Sequence, residues 1–523
     1  MKRDKIIFAI LLISVISGCT ADFEEINTNP NRTIVGQVQA SSIFEPLIYN
    51  GANAWLYYTW FWNNELIQYT AFTGGTTREE HRYSISDGNW SNVWNLYGRY
   101  TNNTLHMHDL AVDQGDKSLE AIALTLKVLF MSNLTDIFGD IPYKEAFTGR
   151  IPGGTITPRF DSQKEVYELM LADLEMANDI YATNPLFMKP ALDGLYGGSM
   201  EQWRKFNNSI YLRLLCRVSG RGEMNVDTKM TEILDNPSDY PVFTSNNDNA
   251  TVVYTGIDPY RNEFAITTEG DLTSSGRKLT EQLIKMTVVT DDFGEQVYED
   301  PRLPIIGKRN PSETSNPDSL WKGTIAGCTP EEQGEADRGT SWLNAAVICR
   351  PDAPGWFMDY AEVELILAEA ALKGLIPGGD TEAKAHYTNA VTASLNKWSE
   401  YGMYSETPVN ISPNDITEYL ASDLASWDNS TNKEELVANQ KYLALFWIGM
   451  EAWHEYRRTG YPELTIGDGT VFNDFILPTR FAYPSNTIAT NKANAEEALE
   501  RMGGSNTMKT AVWWSKQAIE EGK

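Results

Sequence analysis

Apolar positions along this chain recur mostly at three- and four-residue spacing, the period of helices that bury one face. From Phe160, the segment Asp161-Ser162-Gln163-Lys164-Glu165 opens a helix, with Ser162 and Glu165 spaced as a capping box. Val166, Met170, Leu174 and Ala177 then fall on one side of it. The run from Tyr360 to Lys373 turns Val363, Ile366, Leu367 and Ala370 inward, pairs Glu369 with Lys373 one turn apart, and stops at Gly374. After a Pro377-Gly378-Gly379 turn, a second helix runs through His386 to Trp398. The same spacing pairs a helix from Trp90 to Asp113 with one from Ser118 to Asn133, and one from Asp161 to Ile180 with one from Met200 to Val218. A last pair joins the Trp398 helix to one running from Glu434 to Tyr456. Helix pairs on short turns predict a mainly α protein, a tetratricopeptide-like array in which each pair buries its apolar face only against its neighbours. Between residues 220 and 355 the pattern breaks: Gly, Pro, Asn, Asp and Ser rise, and helical spacing returns only around Ser275 to Met286. The expectation is a helical frame over about 38–219 and 356–523, carrying an irregular, loop-rich ligand subdomain over about 220–355.

The N-terminus has a different pattern. Lys2, Arg3 and Lys5 precede an almost unbroken apolar stretch from Ile6 to Ile16, and Ile16-Ser17-Gly18-Cys19 reads as a lipoprotein processing site. The stretch is shorter than the roughly 20 apolar residues that span a bilayer. Residues 1–18 are therefore expected to be a signal peptide, with Cys19 acylated as the new N-terminus of a mature chain, 19–523. The acidic run that follows, Asp22-Phe23-Glu24-Glu25, resembles the signal that sends lipoproteins of Bacteroidetes-type bacteria to the outer face of the outer membrane. No later segment reads as a membrane span, so the lipid is the expected membrane contact. The formal charge of −28 repels nucleic acid and argues against it as a partner. Beyond Cys19 only Cys216, Cys328 and Cys349 remain, enough for one disulfide, and Cys328 with Cys349 is the nearer pair. Neither spacing nor neighbours make a zinc site; no metal is assigned, and nothing in the sequence decides for or against a structural calcium in the loops.

Several segments carry a resemblance. Asp136-Ile137-Phe138-Gly139-Asp140-Ile141-Pro142-Tyr143 resembles the D-x-x-G-D-I-P-Y segment of SusD/RagB-like outer-membrane lipoproteins. Leu195-Tyr196-Gly197-Gly198, Trp203 with Lys205 to Ser209, Leu212-Arg213, the Tyr360 to Ala370 helix, Glu451-Ala452-Trp453, Tyr456 to Pro462 and Pro478 to Phe481 follow in the order of that family. Asn27 to Asn31 and Val512-Trp513-Trp514 fit the SusD-like branch. The resemblance implies four tetratricopeptide-like repeats and a loop-built ligand surface. It also implies capture of an oligosaccharide, or in some members a peptide, for delivery to a SusC-like TonB-dependent transporter. The matching segments themselves read as scaffold: Gly139 and Pro142 form a turn that Asp136 and Asp140 can brace, and Arg457 and Arg458 sit at a helix C-terminus, where cations oppose the dipole.

Catalytic signatures are absent from the sequence. His454-Glu455 is not followed by the second histidine of a zinc protease motif, His106 and His108 are two apart on a helix, and no nucleophile elbow or phosphate loop occurs. A surface glycoside hydrolase is the enzymatic alternative, because a carboxylate pair is defined in space and not in sequence. Aromatic residues are plentiful, with 15 Trp, 25 Tyr and 19 Phe. A flat ring packs against the C–H face of a sugar, while Asn, Asp, Arg and Gln take its hydroxyls. Trp90, Trp94 and Tyr97 share a helix face and are assigned to the core, whereas the rings between Trp55 and Trp62 surround their helix, so some must look outward. Rings with polar neighbours give the ligand candidates: Arg82 and Tyr83 together with Trp90, which is the one ring of its helix face also assigned to ligand; Tyr260, Arg261 and Asn262; and Trp321.

Overall fold

The computed structural model describes residues 38–74, 79–274, 277–311 and 319–522, so the signal peptide and Cys19 lie outside the described residues. Among the described residues, eleven of the thirteen helices of eight residues or more position the site: α1 Ser41–Tyr58, α2 Asp87–Asn95, α3 Asn102–Gln114, α4 Lys117–Phe138, α5 Gln163–Ala182, α6 Met200–Arg217, α7 Tyr360–Leu372, α8 Gly379–Gly402, α9 Lys433–Ala444, α10 Glu451–Thr459 and α11 Lys492–Met502. Consecutive helices pack as pairs, α3 on α4, α4 on α5, α5 on α6 and α7 on α8, with α7 also against α6 and α9. The Ser162 hydroxyl accepts the Glu165 N–H and starts α5, whose Val166, Met170, Leu174 and Ala177 are all buried.

Helix α7 is buried on every side, not on one. Ala361 to Ala371 are inaccessible, including Glu362, Glu364 and Glu369, because α6, α8 and α9 enclose the helix. Buried carboxylates need partners, and the neighbouring helices supply them. Arg213 of α6 forks onto Glu362 with two 2.6 Å bonds, Lys397 of α8 reaches Asp359 at 2.6 Å, and Arg458 of α10 grips both Glu369 and Glu455. Lys373 meets Glu369 at 2.6 Å, one helical turn back.

Among the described residues, eight short strands lie between and beside the helices: β1 Thr70–Phe72, β2 Ala250–Val252, β3 Arg277–Leu279, β4 Val288–Thr290, β5 Gln296–Glu299, β6 Gly307–Lys308, β7 Trp342–Leu343 and β8 Gly355–Met358. One antiparallel sheet has the order β1-β3-β7-β6; β2 pairs with β8, and β4 with β5. One hydrophobic core runs through frame and loops alike, with Trp55, Trp62, Trp203, Trp398, Trp453 and Trp514 fully buried.

The structure corrects several sequence expectations. The Glu434 to Tyr456 helix is two, α9 and α10, separated by a turn in which Trp447 and Gly449 take left-handed backbone angles, φ +73° and +52°. The Trp90 to Asp113 helix is interrupted by a π-helical turn, Leu96–Thr101. There Val93, Leu96 and Tyr100 face the core, while Trp90, Trp94 and Tyr97 are only half-buried. The Ser275 to Met286 stretch holds a strand, β3, before its helix Glu281–Thr287. Helix α4, six residues longer than its sequence pattern indicated, is long and apolar enough to cross a membrane, yet nearly all of it is packed inside the protein as a core helix. Cys328 and Cys349 do not form a disulfide. All three described cysteines are free thiols: Cys328 is buried beside Arg82, and Cys349 lies beside Arg277 and Asp271 in a different setting.

Candidate functional site

On α1 the residues Glu45, Tyr49, Asn53, Tyr57 and Phe61 follow one another at four-residue spacing and form a half-buried stripe that continues past the helix end. The loop after β2 docks along the first half of it. Tyr260 packs on Tyr49 with ring centroids 4.4 Å apart, the Asn53 side chain donates to the Arg261 carbonyl at 3.3 Å, and its oxygen accepts the Glu263 N–H at 3.2 Å. Burial, reinforced by Glu45, raises the Tyr49 phenol above its ordinary value, so it stays a neutral donor to the Val253 carbonyl. The Arg261 Nε is buried without a hydrogen-bond partner among the described residues.

The second half of the stripe carries rings. Tyr57 and Phe61 stack at 4.9 Å and 27°, with Trp60 edge-on to both at 5.4 Å. They sit where α1 passes into a π-helical turn, Thr59–Asn63, whose extra residue per turn re-aims side chains and is often found at functional positions. Across from them the β1–β3 register sets Phe72 opposite Arg277. The Arg277 guanidinium lies 4.4 Å over the Trp60 ring and 5.5 Å from Phe72, while Phe264 closes the other side of Trp60 at 5.2 Å. Glu65 fixes this corner by accepting the Thr70 hydroxyl at 2.9 Å and the Phe72 N–H at 2.7 Å. Trp60, Phe264 and Arg277 are buried and brace this corner, and the half-buried Tyr57–Phe61 stack is its accessible part, a ring surface suited to packing on a sugar ring.

The candidates named from sequence fall in different settings. Tyr260 and Arg261 are half-buried in the loop that lies on α1, and Asn262 is buried beneath them, donating to the Ala353 carbonyl at 2.7 Å. Arg82 is buried, with its guanidinium on the Cys328 carbonyl and the Gln333 side chain, both at 2.6 Å. Tyr83 is buried next to it with φ +62°. Trp321 is buried against Glu299, to which its indole donates at 2.5 Å, and Arg309 lies over its ring. Trp90 stands half-buried on α2. Tyr57, Trp60 and Phe61 belong to the ring cluster of which some members were expected to look outward, without being named as ligand contacts; Tyr57 and Phe61 are half-buried and Trp60 is buried. Phe264 and Arg277 gave no local signal, because loop docking and strand pairing bring them there from some 200 positions away along the chain, and Phe72 is set opposite Arg277 only by that pairing. Elsewhere, Cys216, Glu369 and Glu455 converge within metal-ligand distance, but Lys441 and Arg458 fill that cluster with positive charge. It is an ion-pair centre, and no metal fits between them.

A family described as starch-binding and associating with the outer membrane matches residues 30–484. The chain belongs to this SusD-like family. Solved structures agree on the fold. A SusD homologue from Bacteroides fragilis superposes with a TM-score of 0.73 at 23% identity, covering 91% of this chain and 99% of its own. One from Parabacteroides distasonis gives 0.75 at 19% identity, covering 92% and 98%. A protein described as chitin-binding gives 0.74 at 24%, covering 91% and 99%. No curated protein matches. The helical array with its buried ion pairs is thus the SusD-like frame, and the family segments map onto it: Asp140 accepts the Gln163 N–H at 2.8 Å and Arg501 at 2.9 Å, and Arg457 donates to the Asp136 and Thr479 carbonyls.

Proposed function

We propose that this SusD-like protein is a non-enzymatic capture protein, held on the outer face of the outer membrane by lipid on Cys19, which binds an oligosaccharide and passes it to a SusC-like TonB-dependent transporter. The observation that carries the reading is the half-buried ring stack of Tyr57 and Phe61, braced by buried Trp60 and Arg277, on the loop-facing side of α1. The description of its family as starch-binding supports a glycan as the ligand. The buried carboxylates support binding over hydrolysis: Glu362, Glu369, Glu451 and Glu455 each face an arginine or lysine that holds the frame. A glycosidase pair needs one carboxyl free to protonate a leaving group.

Isothermal titration of the mature protein against oligosaccharides and peptides tests this. An oligosaccharide is expected to bind without product forming, and Tyr57→Ala with Phe61→Ala is expected to weaken it at least tenfold. Binding of peptides alone would move the cargo to the other class, and product formation lost on replacing one Asp or Glu would make the protein a hydrolase.

A further inference from the structure

A second aromatic cleft lies on the helical frame, where α2 and the π-helical turn after it face the loop that follows the Gly139-Asp140-Ile141-Pro142 turn. Its volume is about 470 Å³, within the roughly 300–1,000 Å³ of ordinary ligand clefts. Trp94, Tyr97 and Phe147 form its floor, and Asn102, Asn486 and Thr487 stand on its rim. Tyr97 and Phe147 lie 4.4 Å apart and 30° from parallel, and Trp94 continues the surface at 5.6 Å from Tyr97. Behind the floor, Trp94 is fixed edge-on against Phe138 at 4.9 Å and Tyr483 at 5.8 Å, so the platform is rigid before any ligand arrives.

Three observations point to a ligand. Phe147 holds a left-handed backbone, φ +57°, with its carbonyl accepting the Arg150 Nε at 3.2 Å and Arg150 anchored on Asp109 at 2.7 Å. That conformation is strained for a bulky residue and persists where the surroundings impose it. Second, the Asn102 and Asn486 amides and the Thr487 hydroxyl make no side-chain hydrogen bond among the described residues. Their neighbour Asn491, by contrast, ties the Pro158 carbonyl at 2.6 Å and keeps the rim in place. Third, Ile156 projects over the cleft 89% exposed, an apolar side chain left to water on a strongly acidic protein.

We infer that this cleft is a second carbohydrate subsite, which stacks one sugar ring of a short oligosaccharide on Tyr97 and Phe147 and takes its hydroxyls on Asn102, Asn486 and Thr487. An uncharged, ring-shaped, hydroxyl-rich ligand matches the site: the floor offers π-faces and the rim neutral donors and acceptors, whereas an anionic ligand would need a cation, and Arg150 is already paired with Asp109. The inference rests on the reading of the protein as a glycan binder. An oligosaccharide long enough to span both ring surfaces would be held at two points, which raises avidity without new chemistry at either.

Hydrogen–deuterium exchange on the mature protein, with maltoheptaose and with chitohexaose as probes, tests it. Protection of residues 147–158 and 485–491 is expected, together with protection near residues 57–72. Asn102→Ala with Phe147→Ala should abolish the first and leave the second, with at least a tenfold loss of affinity at the cleft. Protection confined to 57–72 would overturn the second subsite and keep the proposed function. Protection by neither sugar anywhere would overturn both. Protection of the cleft only when the outer-membrane transporter is added would make it a protein contact and overturn the inference.

Discussion

At the scale of single residues, two buried groups pull the acid stability in opposite directions. His81 is buried and accepts the Gly327 N–H on Nδ1 at 3.1 Å, and burial, with Arg82 beside it, lowers its pKa to about 3. The unfolded chain binds the proton first, from about 6.5. The stability it contributes is therefore complete above pH 6.5 and is lost as pH falls toward 3. Asp136 is also buried, and burial lifts it to about 6 against the pull of Arg217 and the Tyr167 hydroxyl. Here the folded state binds the proton first, so stability rises as pH falls from about 6 toward 4. Between pH 6.5 and 5, His81→Asn should lose about 2 kcal/mol less than wild type, at about 1.4 kcal/mol per pH unit. Over the same range Asp136→Asn should lose more than wild type. Urea unfolding at several pH values checks both, and parallel profiles for all three proteins would refute the assignment. Neither residue carried this in sequence. Asp136 was visible as part of a family segment, but its Tyr167 and Trp514 partners come from α5 and from a turn near the C-terminus.

At the scale of elements, the ion pairs of α7 and the approach of α1 decide what can change. Arg213 and Glu362 are both buried, so Arg213→Met leaves a carboxylate without its partner and should cost about 3–5 kcal/mol at pH 7 in denaturant unfolding. Burial already raises the Glu362 carboxyl above its ordinary value, so the cost should shrink in acid, and adding Glu362→Gln should recover most of it. A full cost that persists in the double variant would show that packing, not charge, is at stake. Gly449 is the other control point. Its φ is +52°, and a Cβ there would lie 2.2 Å from the Trp55 indole nitrogen of α1. Gly449→Ala should destabilise by about 2–4 kcal/mol, from backbone strain and overpacking together, as a lowered Tm. The helices themselves were legible as three- and four-residue periodicity, but the break after α9 was not. Trp447 and Gly449 read as continuation until the chain must turn so that α10 can pack on the π-helical turn after α1.

At the scale of the whole molecule, charge and tether set behaviour. Glu369 and Glu455 are pulled well below the ordinary carboxylate range by Arg458 and Lys441, despite burial acting the other way. Their contribution is present above pH 4.5 and lost below it, when the helices they join part. Lipid at Cys19 would leave the folded body free to move over a transporter. Cys19→Ala should therefore release the protein from cells and abolish uptake, while oligosaccharide affinity in solution stays within twofold; a larger change in affinity would tie binding to the membrane. Sequence by itself determined the helical class, the family and most helix starts, because these depend on spacing and on local caps. Tertiary structure alone decided that α7 is buried all round, that Cys328 and Cys349 stay apart, and that Phe72, Phe264 and Arg277 meet Trp60. It also turned Trp94 and Tyr97 from expected core into the floor of a cleft. Each of these depends on which distant segments pack together, and the free energy of that packing is not written in any one segment.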